Sequence, residues 1–246
     1  MAKDYLKDIL LLVGKHNLSS LINKINLNSE VAKEDSTTLD SIGWREFTPT
    51  MKEGKWSYGG YWAADGTNSD PDSTLFAALG TASPATAIKP AVLGTPAVGD
   101  IAYFMNGCSG KHEFGGSVGE LAKMSLELWG TSPTLRGKLL DRQAAATATG
   151  NGTAQQHTAV SATQRLYYAV HVVGGTAGTL DLVIESDNAG GFGSAATVVA
   201  LPQFTGPGSV FGYVSGPITD DYFRIARTIA GGGTWNYYVC LAVSSF

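Results

Sequence analysis

RLYYAVHVVGGTAGTLDLVIESDNAGG, residues 165–191, carries the period of a β-strand twice over, with a glycine turn between the two runs. Leu166, Tyr168, Val170 and Val172 alternate with Tyr167, Ala169, His171 and Val173, the two-residue period of extended backbone. Gly174 and Gly175 then supply a turn, a second run covers Thr179 to Glu185, and Asp187 to Gly191 supplies the next turn. Downstream the pattern repeats at Thr197–Gln203, Ser209–Val214, Tyr222–Ile229 and Trp235–Val243, divided by Gly206-Pro207-Gly208, Gly216-Pro217 and Gly231 to Gly233. Short strands at this spacing predict an antiparallel sandwich or barrel. Several strands are apolar on both faces, as in Trp235, Tyr237, Val239 and Leu241 against Tyr238, Cys240 and Ala242. Such a strand either packs on a further surface or stands at the centre of one domain.

Upstream the chain is mixed. DPDSTLFAAL (70–79) has helix-start chemistry: Asp70 can cap, Pro71 suits the first helical position, and Leu75, Phe76 and Leu79 form an apolar stripe. Strand-like runs lie at Trp56–Trp62, Ile101–Met105, Leu121–Trp129 and Leu135–Leu140. NSEVAKEDSTTLD (28–40) is polar and reads as an exposed loop that can reach a neighbour. The chain is therefore expected to be mainly β, with one or two short helices. Its expected parts are a β domain over 1–145 with a short helix near 70–79, an Ala/Thr/Gly-rich connection over 146–163, and an antiparallel β domain over 164–246. The connection falls in AAATATGNGTAQQHTAVSAT (144–163), whose one ionisable residue is His157.

Composition limits function. The 246 residues carry 17 basic and 21 acidic side chains, a net charge of -4, so no cationic excess favours gripping the outside of a nucleic acid. Residues 151–246 hold only Arg165, Arg224 and Arg227 against Asp181, Glu185, Asp187, Asp220 and Asp221. Cys108 and Cys240 are too few for a disulfide framework, and the sequence does not say whether they meet. The apolar run Ile9–Val13 is far short of the ~20 residues of a membrane span, and the chain reads as made in a cytoplasm without an export signal of its own.

No reaction centre assembles on spacing. Asp65, Asn68, Asp70 and Asp72 form an acidic loop without the ligand order or terminal glutamate of an EF-hand. His16, His112, His157 and His171 stand apart without zinc-site spacing. Gly107-Cys108-Ser109-Gly110 lacks the G-x-S-x-G elbow and reads as a turn. Neither phosphate-binding glycine motif occurs, so turns and close backbone approach account for the 31 glycines. No catalytic, cofactor-binding or metal residue is assigned, and the chain is read as a non-enzyme without cofactors.

Several segments together resemble the major tail tube protein of long, flexible-tailed (siphovirus-type) bacteriophages. They are DSTTLDSIGWREFTPTMKEGKWSYGGYW (35–62), DPDSTLFAAL (70–79), VGDIAYFMNG (98–107), GGSVGELAKMSLELWG (115–130) with LRGKLLD (135–141), LDLVIESDNAGGF (180–192) and GPITDDYFRIARTIAGGGT (216–234). The resemblance implies a β-sandwich or half-barrel subunit whose copies pair into rings that stack as a hollow tube. Such a tube houses the tape measure protein and conducts genomic DNA without binding it specifically. The implied partners are copies of the chain itself, as trimeric pseudo-sixfold or hexameric rings, the tape measure protein, and the tail terminator and distal tail proteins. No membrane is implied, and the location is the virion tail, assembled in the host cytoplasm. Residues 164–246 would be either a second tube-type half or an immunoglobulin-like decoration. The polar stretch 28–40 and a hairpin around Phe104 to Phe114 are expected to touch the adjacent ring. A different class, a carbohydrate-binding or adhesin sandwich, would use Trp56, Tyr58, Tyr61 and Trp62 to stack on sugars.

Overall fold

The computed structural model describes residues 7–38, 40–63, 71–92 and 94–245. In chain order its strands begin with β1 (Leu10–Val13), β2 (His16–Asn17), β3 (Ile22–Asp35) and β4 (Phe47–Tyr61), followed by the helix α1 (Pro71–Ala77). β5 (Ala82–Lys89), β6 (Ile101–Gly115), β7 (Lys123–Gly130), β8 (Leu135–Ala146), β9 (Gly150–Asn151) and β10 (Gln155–Gln156) come next. β11 (Gln164–Gly175), β12 (Thr179–Asp187), β13 (Ala196–Ala200), β14 (Gly208–Ser215), β15 (Tyr222–Ala230) and β16 (Trp235–Ser245) complete it. The fold is mainly β, as the alternating patterns require.

The chain divides into two compact units, and neither is continuous in sequence. The larger comprises Met1–Ser20, Ser83–Met105 and Leu135–Phe246; the smaller comprises Leu21–Ala82 and Asn106–Thr134. This differs from a division at residue 145, because β8 hydrogen-bonds to β16 from Ala146–Trp235 to Lys138–Leu241 and so joins the expected first part to the last strand.

In the larger unit β14, β11, β16, β8, the first part of β6, β5, β1 and β2 are neighbours in that order, and β10, β15, β12 and β13 form a second sheet. Leu166, Tyr168, Val170 and Val172 of β11 and Trp235, Tyr237, Val239 and Leu241 of β16 meet Leu180, Leu182, Ile184, Phe223 and Ile225 of the second sheet. The opposite faces of the same two strands, Tyr167 and Ala169 with Tyr238, Cys240 and Ala242, join Leu10, Leu12, Ile88 and Phe104 in a second core. The first sheet is curled, and His171 of β11 reaches both the β1–β2 turn and β5. β11 and β16 are thus central strands with a core on each side, which explains why both faces are apolar. Each large side chain so buried contributes about 1.5–3 kcal/mol.

The Ala/Thr/Gly-rich connection is not a free linker. It is stitched along β15 and the segment before it: Gly152 N–H donates to Ile225 O (2.7 Å), His157 N–H to Asp221 O (2.7 Å) and Val160 N–H to Ile218 O (2.9 Å). Arg227 Nε donates to Ala148 O (3.1 Å). One position in it is closely packed, since a Cβ on Gly152 would lie 2.9 Å from the buried Asp141 carboxyl carbon.

In the smaller unit β3, β4, β7 and the second part of β6 form one sheet. Trp56, Tyr58, Met124, Leu126 and Leu128 are buried, as is Leu75 of α1. The helix stripe expected at Leu75, Phe76 and Leu79 is only partly covered: Leu75 is buried, whereas Phe76 and Leu79 are exposed. The residues that alternate with the buried set carry charge, with Lys55 Nζ 2.9 Å from Glu127 and Lys111 Nζ 2.9 Å from Glu113.

Candidate functional site

The histidines do not converge. His171 is completely buried; its Nδ1 lies 2.7 Å from Gly14 O and its Nε2 2.7 Å from Thr86 Oγ1. A carbonyl can only accept, so Nδ1 carries the proton and Nε2 accepts from the threonine hydroxyl. Burial lowers the His171 pKa to about 4, against the opposing bond to Gly14. His157 is lowered to about 4 by burial and then by Lys138. His112 packs edge-on to Phe76 with Nε2 3.4 Å from Asp72, and His16 lies on β2. Of the acidic loop only Asp72 is described, while Asp65, Asn68 and Asp70 lie outside the described residues. Among the described residues no three His, Cys, Asp or Glu side chains gather as a metal site.

Gly107-Cys108-Ser109-Gly110 is not a turn but the middle of β6, and no hairpin forms around Phe104 to Phe114. Gly110 serves close approach instead, since a Cβ there would collide with the Trp129 ring. Ser109 is buried, and Cys108 and Cys240 are both free thiols. A buried polar pair occurs elsewhere in the larger unit, where Tyr237 Oη donates to Asp141 Oδ2 (2.8 Å). Burial, and then Asp141, raise the Tyr237 pKa. Beside it the Gln143 side-chain amide donates to Asp141 Oδ1 (3.4 Å). The tyrosine–carboxylate bond ties β8 to β16.

What stands out is the β3–β4 ribbon. The polar stretch 28–40 is not a loop up to Asp35; it is the outgoing strand of a hairpin, in register with Phe47–Lys55. Polar, solvated strands escape a hydrophobic-period reading because neither face needs burial. β7 supports β4 only from Lys55 to Tyr61, so among the described residues Phe47–Gly54 is paired with β3 alone. The tip closes with Ser36 N–H donating to Glu46 O (2.9 Å) and Glu46 N–H to Thr37 Oγ1 (3.0 Å). Ile42 is 93% exposed, Trp44 84% and Met51 81%.

The opposite end of the same ribbon borders a groove of about 590 Å³, lined by Lys24, Tyr61, Glu113, Phe114, Lys123 and Met124, with Gly59, Gly60 and Gly115 as side-chain-free wall. Of the four aromatics proposed for sugar stacking, Trp56 and Tyr58 are buried, whereas Tyr61 and Trp62 are exposed. Trp62 stacks on Phe114 with ring centroids 5.8 Å apart. Sequence reading missed Ile42, Trp44 and Phe114 as a set; the signal present was aromatic side chains within otherwise polar strand ends.

No family model matches the chain, and no curated protein matches it. Among solved structures, a chain from the virion of a native gene transfer agent particle is similar at 18% identity and a TM-score of 0.39, covering 54% of this chain and 97% of its own. The SPP1 Dit protein (gp 19.1), described as a paradigm of the hub adsorption apparatus in Gram-positive infecting phages, is similar at 10% identity and a TM-score of 0.35. It covers 97% of this chain and 100% of its own. Neither likeness is close enough to carry a role to this chain. No helix among the described residues is long and apolar enough to cross a membrane.

Proposed function

We propose that this chain is a structural virion protein of the phage tail type, which associates with copies of itself into rings that stack as a hollow tail tube. The observation that carries the reading is the β3–β4 arm: a two-stranded ribbon, exposed along its outer half and ending in bare apolar side chains. Two strands alone are marginal in water, so such an arm gains most of its stability from a neighbour. A second supporting feature is β14, at the end of its sheet, whose residues GSVFGYVS carry no charge to discourage pairing. Closed symmetry limits growth around a ring, while a head-to-tail contact continues along an axis. Interspersed lysine and glutamate on the open face of the smaller unit suit a surface past which DNA slides, since a block of like cations would grip phosphates.

On this reading the lumen holds the tape measure protein before DNA passes, and terminator and distal tail proteins cap the two ends. The protein then acts in the virion tail, after assembly in the host cytoplasm, and without catalysis. Residues 164–246 share cores with β1, β5, β6 and β8, which argues against a detachable decoration. Electron microscopy of the purified chain at rising concentration tests the proposal: rings or tubes with a central channel are expected, and end-on views count three or six chains. A second reading, a sugar-binding module, is favoured by Tyr61, Trp62 and Phe114 around the groove. A protein that stays monomeric at high concentration and binds glycans overturns the tube in its favour.

A further inference from the structure

The apolar tip and the aromatic groove lie at opposite ends of one element. From Phe47 to Tyr61, β4 runs from the tip end to the groove. At about 3.3 Å per residue that separation is roughly 46 Å, so no chain can seat its own tip in its own groove. The two ends are also chemically matched. The tip, 36–46, carries Asp40 and Glu46 against Arg45, while the groove carries Lys24 and Lys123 against Glu113, so their net charges are opposite in sign. The tip offers Ile42 and Trp44, and the groove offers Tyr61, Phe114 and Met124 with glycine walls that let a flat ring approach backbone. Its volume is in the range that takes a group of this size.

We propose that the tip of one copy, residues 40–46, seats in the groove of a second copy, with the Trp44 indole against Tyr61 and Phe114 and the flanking Asp40 and Glu46 facing Lys24 and Lys123. This rests on the self-assembly reading above and gives it an axial contact. Donor and acceptor are different patches at opposite ends of a ribbon, so each seated copy presents a fresh tip and the contact does not close. An aromatic anchor entering a concave site is the kind of contact that dominates interface energetics.

The test uses two variants of the full chain at exposed positions, Trp44→Ala to remove the donor and Phe114→Ala to damage the acceptor. Each is expected to shorten tubes at least ~10-fold under conditions where the unaltered chain assembles, with an unchanged urea midpoint, as befits loss of an interface anchor. Mixed together, the variants retain one good tip and one good groove, so they pair without growing. As a second measurement, chains carrying Ser41→Cys and chains carrying Gly115→Cys, which keep the Trp44 and Phe114 anchors and are both in a Cys108→Ser background, are expected to form an intermolecular disulfide when assembled together, since a side chain at Gly115 meets nothing within 4 Å. Tubes of full length from either variant, or assembled tubes that give no cross-link, overturn the contact while leaving the tube reading intact. An unaltered chain that never assembles overturns both. Glycan binding that Phe114→Ala abolishes while assembly proceeds normally assigns the groove to sugar and overturns the contact alone.

Discussion

Acidification should destabilise this protein through a buried histidine that takes up its proton at lower pH folded than unfolded. His171 is completely buried and neutral, giving its Nδ1 proton to Gly14 O and accepting from Thr86 at Nε2. Its folded pKa is lowered to about 4, whereas the unfolded value is near 6.5. Between those values the unfolded chain binds the proton and the folded chain does not, so stability falls as pH falls through that window. Above pH 6.5 neither state is protonated, and below 4 both are, so no further loss accrues from this group. Integrating from about pH 7 to about pH 4.5 gives a loss of about 2–3 kcal/mol, because each pH unit spent between the two pKa values costs about 1.4 kcal/mol. His157, also lowered to about 4, has the same sign. To isolate His171, urea unfolding of the natural chain and of His171→Gln is compared at about pH 7 and about pH 4.5. Glutamine has a donor and an acceptor but no proton to gain in this range. The natural chain should lose about 2–3 kcal/mol more than the variant between the two pH values. An identical loss in both would refute the account of His171 as the buried acid sensor.

Three further outcomes follow from packing. Tyr237→Phe leaves the buried Asp141 carboxylate without its 2.8 Å donor and should cost about 1.5–3 kcal/mol by urea unfolding at neutral pH. Gly137→Ala drives a methyl into the Leu241 carbonyl oxygen and should destabilise by about 2 kcal/mol or more, whereas Gly191→Ala meets nothing within 4 Å and should change the midpoint little. A thiol reagent should reach only Cys108 in the native protein, because Cys240 is fully buried and its thiol pKa is raised by burial; two labels by mass under native conditions would contradict that placement.

The strands past residue 164 were legible because alternation and glycine turns coincide there, although the run Thr197–Gln203 is a strand only as far as Ala200. Their double-sided character was legible too, though not its cause, since nothing in a local pattern says that β11 has β12 on one side and β1 on the other. The failures have a common physical origin. Around Cys108 the glycines looked like turn residues, but Gly110 is small because Trp129 lies across it. In the stretch 28–40, pairing is supplied by backbone hydrogen bonds that leave no mark on side-chain polarity. The tip and groove share no sequence neighbourhood at all; only the 15-residue length of β4 relates them.

The interleaving of the two units along the sequence has a consequence for how the protein is made. The smaller unit has all its strands once Thr134 leaves the ribosome, and it can close early. β11 must wait until β16 emerges, after residues 176–234, before the backbone on that side is paired and its second core partner arrives. Pairings so distant in sequence are slow to form, and an apolar strand left waiting is open to misassociation. The nascent chain is therefore most vulnerable late in synthesis, and truncations that remove β16 should yield insoluble product even though all the other strands are present.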